Sequence, residues 1–578
     1  MFYIVSDVKN PFLVLILHKL QNLSSFVFLH CLIYKVHELS FWASFTVPFP
    51  ERLINIPPPA RLVNNFFQKF RGFFRIQNNV VEMGYTTHMF DFASKKPGLS
   101  MAAISETFSG CEDFECRGIL PGLDNGAGIY VCWVDGLADG TAISEDILRP
   151  LTESCRTDAP TEKLLLELLE RGGVYSSTVR RRTEPCDVVT DLLAGFCCLI
   201  SDAAALALSF EVRSKATRSI SSPSVEKSIK GGKDAFVETL RVNTSLVRRK
   251  LRTPELHLTQ TVVGRRSGTS VAVMYLEGIA KDGLPEEVLR RIDGIDIDGL
   301  LSAGDLEEYI VDSPRSPFPQ LLHTERPDTF AMHLLDGRVG ILVDGLPLGF
   351  VLPGGLAAFM RVPEDSADHF LVASMLTLLR WAALFLSLCL PAAFVAISMY
   401  HQEMLPVKLL LSMTAAKQFV PFGVAAEVIA MLLSFELLQE AGLRLPDPVG
   451  QTASIIGALI VGQSAVEAKV VSPIAVIVVA LAGICGYVMP SRDLGAALRL
   501  CRLIFVLAAV LMGLYGLMAA LALLILHLST LESFGAPYTA PFTDREGPGA
   551  LTGLIKRPNS SDKFRSPHLA GRNKRRQK

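Results

Sequence analysis

The sequence predicts a soluble α/β (or α+β) N-terminal domain followed by an all-α polytopic transmembrane domain. Three observations carry that reading. From Leu371 to Leu531 the chain is almost continuously apolar. Between about Glu106 and Asp368, short strand-like runs alternate with helix-like runs and Asp-Gly turns, a pattern that places strands and helices in one domain. Half of the 578 residues are hydrophobic and the mean hydropathy is +0.35, high for a wholly soluble chain.

Residues 1–105 form an unassigned extension and linker. Pro11 to Tyr34 is apolar but interrupted by His18, Lys19, Gln21, Asn22 and His30. It lacks the basic start, compact apolar core and small-residue cleavage site of a signal peptide. We read this stretch as the product of a start codon assigned too early. Residues 61–105 show no periodicity.

In the soluble region, 106–368, Gly128–Gly136 reads as a strand closing at an Asp-Gly turn. Ile143 to Leu151 suits a helix with Ser144 as N-cap, and Thr161 to Arg171 suits a second. Ala203–Val212 and Ser270–Gly278 read as strands. Asp234–Arg252 reads as an amphipathic helix with Phe236, Leu240, Leu246 and Val247 on one side, and Glu286–Ile292 as another helix. Leu335–Leu346 alternates around Val339, Ile341 and Val343, as a hairpin arm does. The length allows two subdomains, with a boundary near 255–268.

The apolar region, 369–531, holds five runs that reach or approach the ~20 residues a bilayer helix needs: Phe370–Ser398, Phe419–Leu438, Thr452–Ala468, Val470–Met489 and Leu503–Leu528. Within it stand Arg380, Glu427, Glu436 and Glu440. Intramembrane charges cost ~2.5–3.5 kcal/mol each on insertion scales, so they mark a path or a partner contact. Thr452, Ile456, Leu459, Gln463 and Glu467 recur at steps of four, three, four and four and share one helical face. That face is polar, then apolar, then acidic, the profile of a pore-lining helix; the alternative is an ordinary packed helix, since its Gly, Ala and Ser also permit close approach. Cytoplasmic ends require an even number of crossings. With five runs, one of 419–438 or 452–468 is expected to be re-entrant or deep in an oligomer.

A Pro-rich stretch precedes the membrane region. Pro314, Pro317, Pro319 and Pro327 oppose helix and favour a fixed, extended loop. Glu325, Arg326 and Asp328 suit a salt-bridged corner. Pro317, Phe318, Pro319, Gln320, Thr324, Glu325, Arg326, Pro327 and Asp328 are read either as a rigid linker or as the element that transmits motion to the membrane. The tail, 532–578, carries Lys556, Arg557, Lys563, Arg565, Arg572, Lys574, Arg575, Arg576 and Lys578 against Asp562. It is expected to be disordered and to touch anionic lipid.

Several chemistries are argued against. The net charge of −1 offers no global attraction for nucleic acid. The 11 cysteines lack zinc spacing and read as reduced thiols and packing residues. Asp296-Ile297-Asp298-Gly299 fails as a calcium loop, because the first ligand would be Gly294 and the twelfth Asp305. Lys230-Gly231-Gly232-Lys233 lacks phosphate-loop spacing. No catalytic constellation stands out, so no cofactor, metal or enzyme activity is predicted.

Taken together these stretches resemble the A subunit of the GerA-type spore germinant receptors. The pattern runs through Val134-Asp135-Gly136-Leu137, Ile147-Leu148-Arg149-Pro150, Phe236-Val237-Glu238 with Asn243, and Leu246-Val247-Arg248-Arg249. It continues through Ile295–Gly299, Ser316-Pro317-Phe318-Pro319-Gln320 and Thr324-Glu325-Arg326-Pro327-Asp328. Gly337-Arg338-Val339, Leu342–Gly345 and Pro363-Glu364-Asp365 lead to Glu440–Pro446, Gly450-Gln451-Thr452, Ser472-Pro473-Ile474 and Ser533–Tyr538. Coverage is roughly residues 106–542. Two positions depart from the pattern: Ser222 before Pro223, where the family usually has Glu, and Lys469, where it commonly has Gly.

The resemblance implies a multi-pass protein of the bacterial endospore inner membrane with its soluble domain in the cytoplasm. It also implies a permease-like B subunit and a lipoprotein C subunit as partners, homo-oligomerisation, contact with membrane lipid, and a small nutrient germinant sensed by the complex. In that family the A subunit is thought to form the gated ion-conducting element. A secondary transporter, a membrane-anchored scaffold without a pore and a membrane-tethered enzyme are the competing classes. No internal repeat favours the transporter.

Overall fold

The chain separates into two units, Met1–Asp91 and Phe92–Lys578. The computed structural model describes residues 98–118, 129–150, 179–202, 204–214, 223, 226, 230–444, 462–543 and 551–577, all in the second unit. The predicted helix at 161–171 and position 222 lie outside the described residues.

The soluble region holds two five-stranded sheets, antiparallel throughout, so the domain is α+β in kind. The first is ordered β1-β2-β4-β5-β3, with β1 Phe114–Gly118, β2 Ile129–Val134, β3 Val179–Arg182, β4 Phe196–Ser201 and β5 Leu206–Glu211. Helix α1, Pro185–Leu193, packs on it and starts with proline at its first turn, where the missing N–H costs nothing. The helix expected at 143–151 starts earlier, at Gly140, and is π-helical over Ile143–Leu148. Asp139, not Ser144, caps it, because the Asp139 carboxylate accepts from the Thr141 amide at 3.0 Å.

The second sheet is ordered β6-β7-β9-β10-β8: β6 Leu256–Val263, β7 Thr269–Leu276, β8 Leu322–Thr324, β9 Val339–Val343 and β10 Gly349–Leu352. Residues 255–268, where the sequence suggests a boundary, are β6 and its turn into β7. The chain passes between sheets through α2, Leu240–Lys250. This helix is shorter than predicted, and Phe236 is buried in the irregular segment before it. On α2, Arg248 makes a buried two-pronged ion pair with Asp113 of the first-sheet region, both bonds 2.7 Å.

The period-2 rule assigns the second sheet's side chains to two cores. Val271, Val273, Val339, Ile341 and Val343 face α3, Leu284–Asp293, and α4, Ala303–Ile310. Ala272, Met274 and Leu342 face the other way, with α2 and with Phe330 and Leu334 of α5, Pro327–Leu335. That second core runs on without a break into the apolar helices, through Leu388, Val395, Val428, Val479 and Phe505. Sheet and bundle therefore share buried surface.

The bundle comprises α6 Phe370–Tyr400, α7 Val407–Lys417, α8 Val424–Arg444, α9 Pro473–Tyr487 and α10 Arg492–Thr530, with a further helical turn at 462–467. The run predicted from Phe419 begins instead at Val424, since Pro421 and Gly423 break the chain there. By length and composition α6 and α10 are long and apolar enough to cross a membrane. Their outer faces present bare Leu, Ile, Met and Phe side chains, among them Leu371, Met375, Phe385, Leu511, Met518 and Leu523.

Helix α10 is not one rod. Straight, its 39 residues would span about 58 Å at ~1.5 Å per residue. Yet Asp493, in its first turn, and His527, in its last, contact residues 323 and 316 of one short segment. The reversal is at Gly513, φ 60° and ψ −138°, a backbone conformation closed to residues with a Cβ. A Cβ at Gly516 would lie 2.1 Å from the Ala508 carbonyl oxygen, so the two arms touch beside the bend. The Tyr400 hydroxyl donates to the Val510 carbonyl at 2.6 Å, joining the end of α6 to the bend.

The basic tail, expected to be disordered, is packed over 551–577. Arg565 donates to the Leu335 carbonyl at 2.7 Å, and the Gly571 amide to that of Ile279 at 2.8 Å. These backbone carbonyls, at the end of α5 and in the turn after β7, give the tail's donors fixed partners.

Candidate functional site

The Pro-rich stretch folds into more than a loop. Its first part turns at 314–315 and bends at 317–318, 322–324 joins the second sheet as edge strand β8, and Pro327 opens α5 as its first residue. Proline is suited to that position, which explains how a stretch read as non-helical contains a helix start.

This segment touches both ends of α10. At one end the Ser316 hydroxyl and His527 Nε2 lie 3.0 Å apart, and the buried Phe318 ring sits 5.9 Å from that imidazole and 6.5 Å from Tyr538. Pro317 and Pro319 flank Phe318, where the chain bends, and each fixes its own φ. Gln320 closes the loop on itself, with its amide group bonded to the Ser313 N–H and carbonyl at 3.2 and 2.8 Å. The Gln320 carbonyl accepts from the Gly354 amide and the Ser533 hydroxyl, both 3.0 Å.

At the other end His323 Nδ1 lies 3.4 Å from Asp493, and Nε2 lies 3.6 Å from Glu307 on α4. Phe350 meets its ring edge-on at 5.1 Å. Burial pushes the imidazole's pKa down, but hydrogen bonding to Asp493 and the charges of Glu307, Asp493 and Glu226 outweigh it and leave it raised. Burial pushes the Glu307 carboxyl up.

The remaining residues turn inward. Thr324 donates to Glu226 at 2.7 Å. Of the expected corner of Glu325, Arg326 and Asp328, the pair Arg326–Asp328 is bonded at 2.6 and 3.0 Å, with Arg326 almost fully buried. Glu325 offers its backbone carbonyl to the Phe236 amide at 2.7 Å.

The charges within the apolar helices meet groups of this chain. Arg380 is bonded at 2.5 and 3.0 Å to Asp365, which lies just before α6. Buried Glu427 accepts from the Ser472 amide at 3.0 Å, at the N-terminus of α9, where an anion is favoured, with Lys417 3.9 Å away. Glu436 pairs with Arg502 and, at 3.4 Å, with Arg499. Glu440 lies one turn further along α8 and is exposed. Of the suggested pore face, Thr452, Ile456 and Leu459 lie outside the described residues. Gln463 donates to Glu467 at 2.8 Å, and both are exposed. Sequence reasoning missed Ser316, His323, Asp493 and His527; His323 inside the Pro-rich stretch was the available signal. Among the described residues no cluster of His, Cys, Asp or Glu could hold a metal ion.

The family model described as Bacillus/Clostridium GerA spore germination protein matches residues 102–568, a span that includes both sheets, the bundle and the junction just described. The chain belongs to the GerA spore germination protein family. Spore germination protein KA of Bacillus subtilis (strain 168) is 34% identical over 480 residues, 83% of this chain and 87% of that one. Spore germination protein GerLA of Bacillus cereus is 34% identical over 442 residues, 76% and 88% of the two chains. The crystal structure of the N-terminal domain of the A subunit of the Bacillus megaterium spore germinant receptor GerK3 shares 31% identity. It covers 45% of this chain and 98% of that one, at a TM-score of 0.35. In this GerA family member both Pro-rich motifs quoted for the resemblance, Ser316–Gln320 and Thr324–Asp328, lie at the junction of sheet and bundle.

Proposed function

We propose that this chain is the A subunit of a nutrient germinant receptor in the spore inner membrane, and that its bundle is the gated, ion-conducting element. One observation carries the reading: residues 316–323 contact both ends of the bent helix α10. A shift of the second sheet then moves both arms of α10 together, because prolines and a shared core leave little slack between them. In this reading 317–328 is the coupling element. The permease-like B subunit senses the nutrient, the lipoprotein C subunit completes the receptor, and copies of this chain assemble around a pore.

We read the two arms of α10 on either side of Gly513, 492–512 and 514–530, as two passes, each close to the ~20 residues a bilayer helix needs. The five runs of the sequence then make six crossings, and both ends of the apolar region face the cytoplasm without a re-entrant segment. The ion path is placed on Thr452, Ile456, Leu459, Gln463 and Glu467, where an apolar constriction above an acidic ring would gate by dewetting and favour cations. Arg380, Glu427 and Glu436 are assigned to packing, since their partners lie in the chain itself.

The test is reconstitution in vesicles, with and without the partner subunits, reading cation efflux on addition of candidate nutrients. Nutrient-dependent efflux only in the full complex supports the reading. Flux of the nutrient itself by this chain alone would replace it with a transporter.

A further inference from the structure

A cavity of about 940 Å³ lies where the second sheet, the start of α6, the first turn of α10 and the C-terminal tail meet. Its wall carries as many carboxylates as guanidinium groups, yet Arg338, Arg361 and Arg565 bond to an imidazole and to carbonyls rather than to carboxylates. Arg338, at the start of β9, is 9% exposed, and its Nε has no hydrogen-bond partner. One of its terminal nitrogens donates to His333 Nδ1 at 2.6 Å. Arg361 donates to the Thr552 carbonyl at 2.5 Å, and buried Arg565 to the carbonyls of Leu335, Asn573 and Arg575 at 2.7, 3.1 and 2.6 Å.

Among the described residues none of these three arginines forms an ion pair. Asp336 lies near Arg338 and Arg565 but is held by Arg576 at 3.3 Å, and the same arginine takes Asp562 at 3.1 Å. Asp365 is taken by Arg380. His333 offers no charge: burial, with Arg338 and Arg361 beside it, pushes its pKa far down, so it stays neutral and accepts. Burial lowers Arg338 to about 10, which leaves it cationic at neutral pH. A buried cation without a counter-ion is costly, and an anion in the cavity removes that cost.

We propose that this cavity binds a phosphate-class anion, anchored by Arg338 and Arg361. Guanidinium forks match phosphate oxygens two at a time. The anion is either a free phosphate group or the headgroup of an anionic lipid, since Ser366, just before apolar helix α6, and Thr377, in its second turn, also line the site. The site stands whether or not the bundle conducts ions.

The experiment uses the full chain in lipid nanodiscs. In one arm the lipid is phosphatidylcholine alone, and inorganic phosphate is titrated against chloride at constant ionic strength. In the other, phosphatidylglycerol replaces part of the lipid and no phosphate is added. Calorimetric binding and the melting temperature are read in both. A saturable response in the first arm assigns a free anion; a raised melting temperature in the second alone assigns a headgroup. In either case Arg361→Gln weakens the response roughly tenfold or more, and Arg338→Lys weakens it less than Arg338→Gln. Arg361 is exposed, so its variant tests the site even where Arg338→Gln fails to fold. No response in either arm, or a response equal in wild type and Arg361→Gln, overturns the proposal.

Discussion

His323 of the edge strand β8 and Asp493 in the first turn of α10 face each other at 3.4 Å, across the boundary between the soluble sheet and the apolar bundle. The imidazole also faces Glu307 and Glu226, so protonation gives it several acidic neighbours and no cationic one among those that shift it. Its folded-state pKa is raised above the ordinary 6.5. The contact therefore stabilises fully below that ordinary value, and the contribution is lost as pH rises through the raised folded value. Thermal unfolding at about pH 5.5 and about pH 8.5 should show the loss on the alkaline side, and Asp493→Asn should flatten it. An unchanged pH dependence in Asp493→Asn would place the stabilisation elsewhere.

Gly513 should tolerate no side chain. Alanine there is forced into a backbone region populated essentially by glycine, at ~1–3 kcal/mol, and its Cβ would crowd Tyr400 at 3.1 Å. Gly516→Ala should be worse, because its Cβ would strike backbone rather than a side chain that can turn. Melting temperatures of the purified full chain should rank wild type, Gly513→Ala, then Gly516→Ala. A wild-type melting temperature for both would remove the bend.

Lys469 occupies the left-handed region at φ 57°, just past the helical turn 462–467, with the Val470 amide bonded back to the Ala465 carbonyl at 2.9 Å. This is the helix-ending position glycine prefers, and it explains the glycine common there in the resemblance. Lysine keeps one compensation, its ammonium 4.1 Å from the Phe419 ring centroid. An exposed cation–π contact contributes ~0.5–1 kcal/mol, less than the ~1–2 kcal/mol of strain. Lys469→Gly should thus hold or raise stability, whereas Lys469→Ala keeps the strain, loses the contact and falls below wild type. Denaturant midpoints in the reverse order would refute this account.

The Glu436–Arg502 pair should act as packing. Glu436→Gln leaves the buried Arg502 short of a charge partner and should cost about 2 kcal/mol. That is below the ~3–5 kcal/mol of a fully buried pair, because Glu436 is partly exposed at 32%. Replacing both residues with leucine should recover most of the loss. An altered ion selectivity with unchanged stability would instead return Glu436 to the ion path.

The proposed gate predicts nutrient-independent leak. Leu459→Ser should wet a closed constriction, so spores would germinate without nutrient. Ile456→Ser should do the same. Reduced protein without leak in both variants would mean an ordinary packed helix.

The sequence by itself determined the two-part architecture and, of the ten strands in the two sheets, β2, β5, β7 and β9. The apolar run, the Asp-Gly turns and the alternation around Val339, Ile341 and Val343 are local patterns, and local patterns survive without knowledge of neighbours. It also determined the family, since dozens of matching positions need no geometry. What it left open depended on contacts between distant residues. Nothing around Gly513 says that a 39-residue apolar helix doubles back; the reversal rests on Tyr400, over a hundred positions earlier, and on Ser316 and His323 receiving both ends. The charges looked unpartnered because Arg380 and Glu436 find Asp365 and Arg502 only after the helices pack. The tail looked disordered because its arginines bind carbonyls, which carry no sequence signal. Pairing is decided by distance in space, and only the tertiary structure sets that.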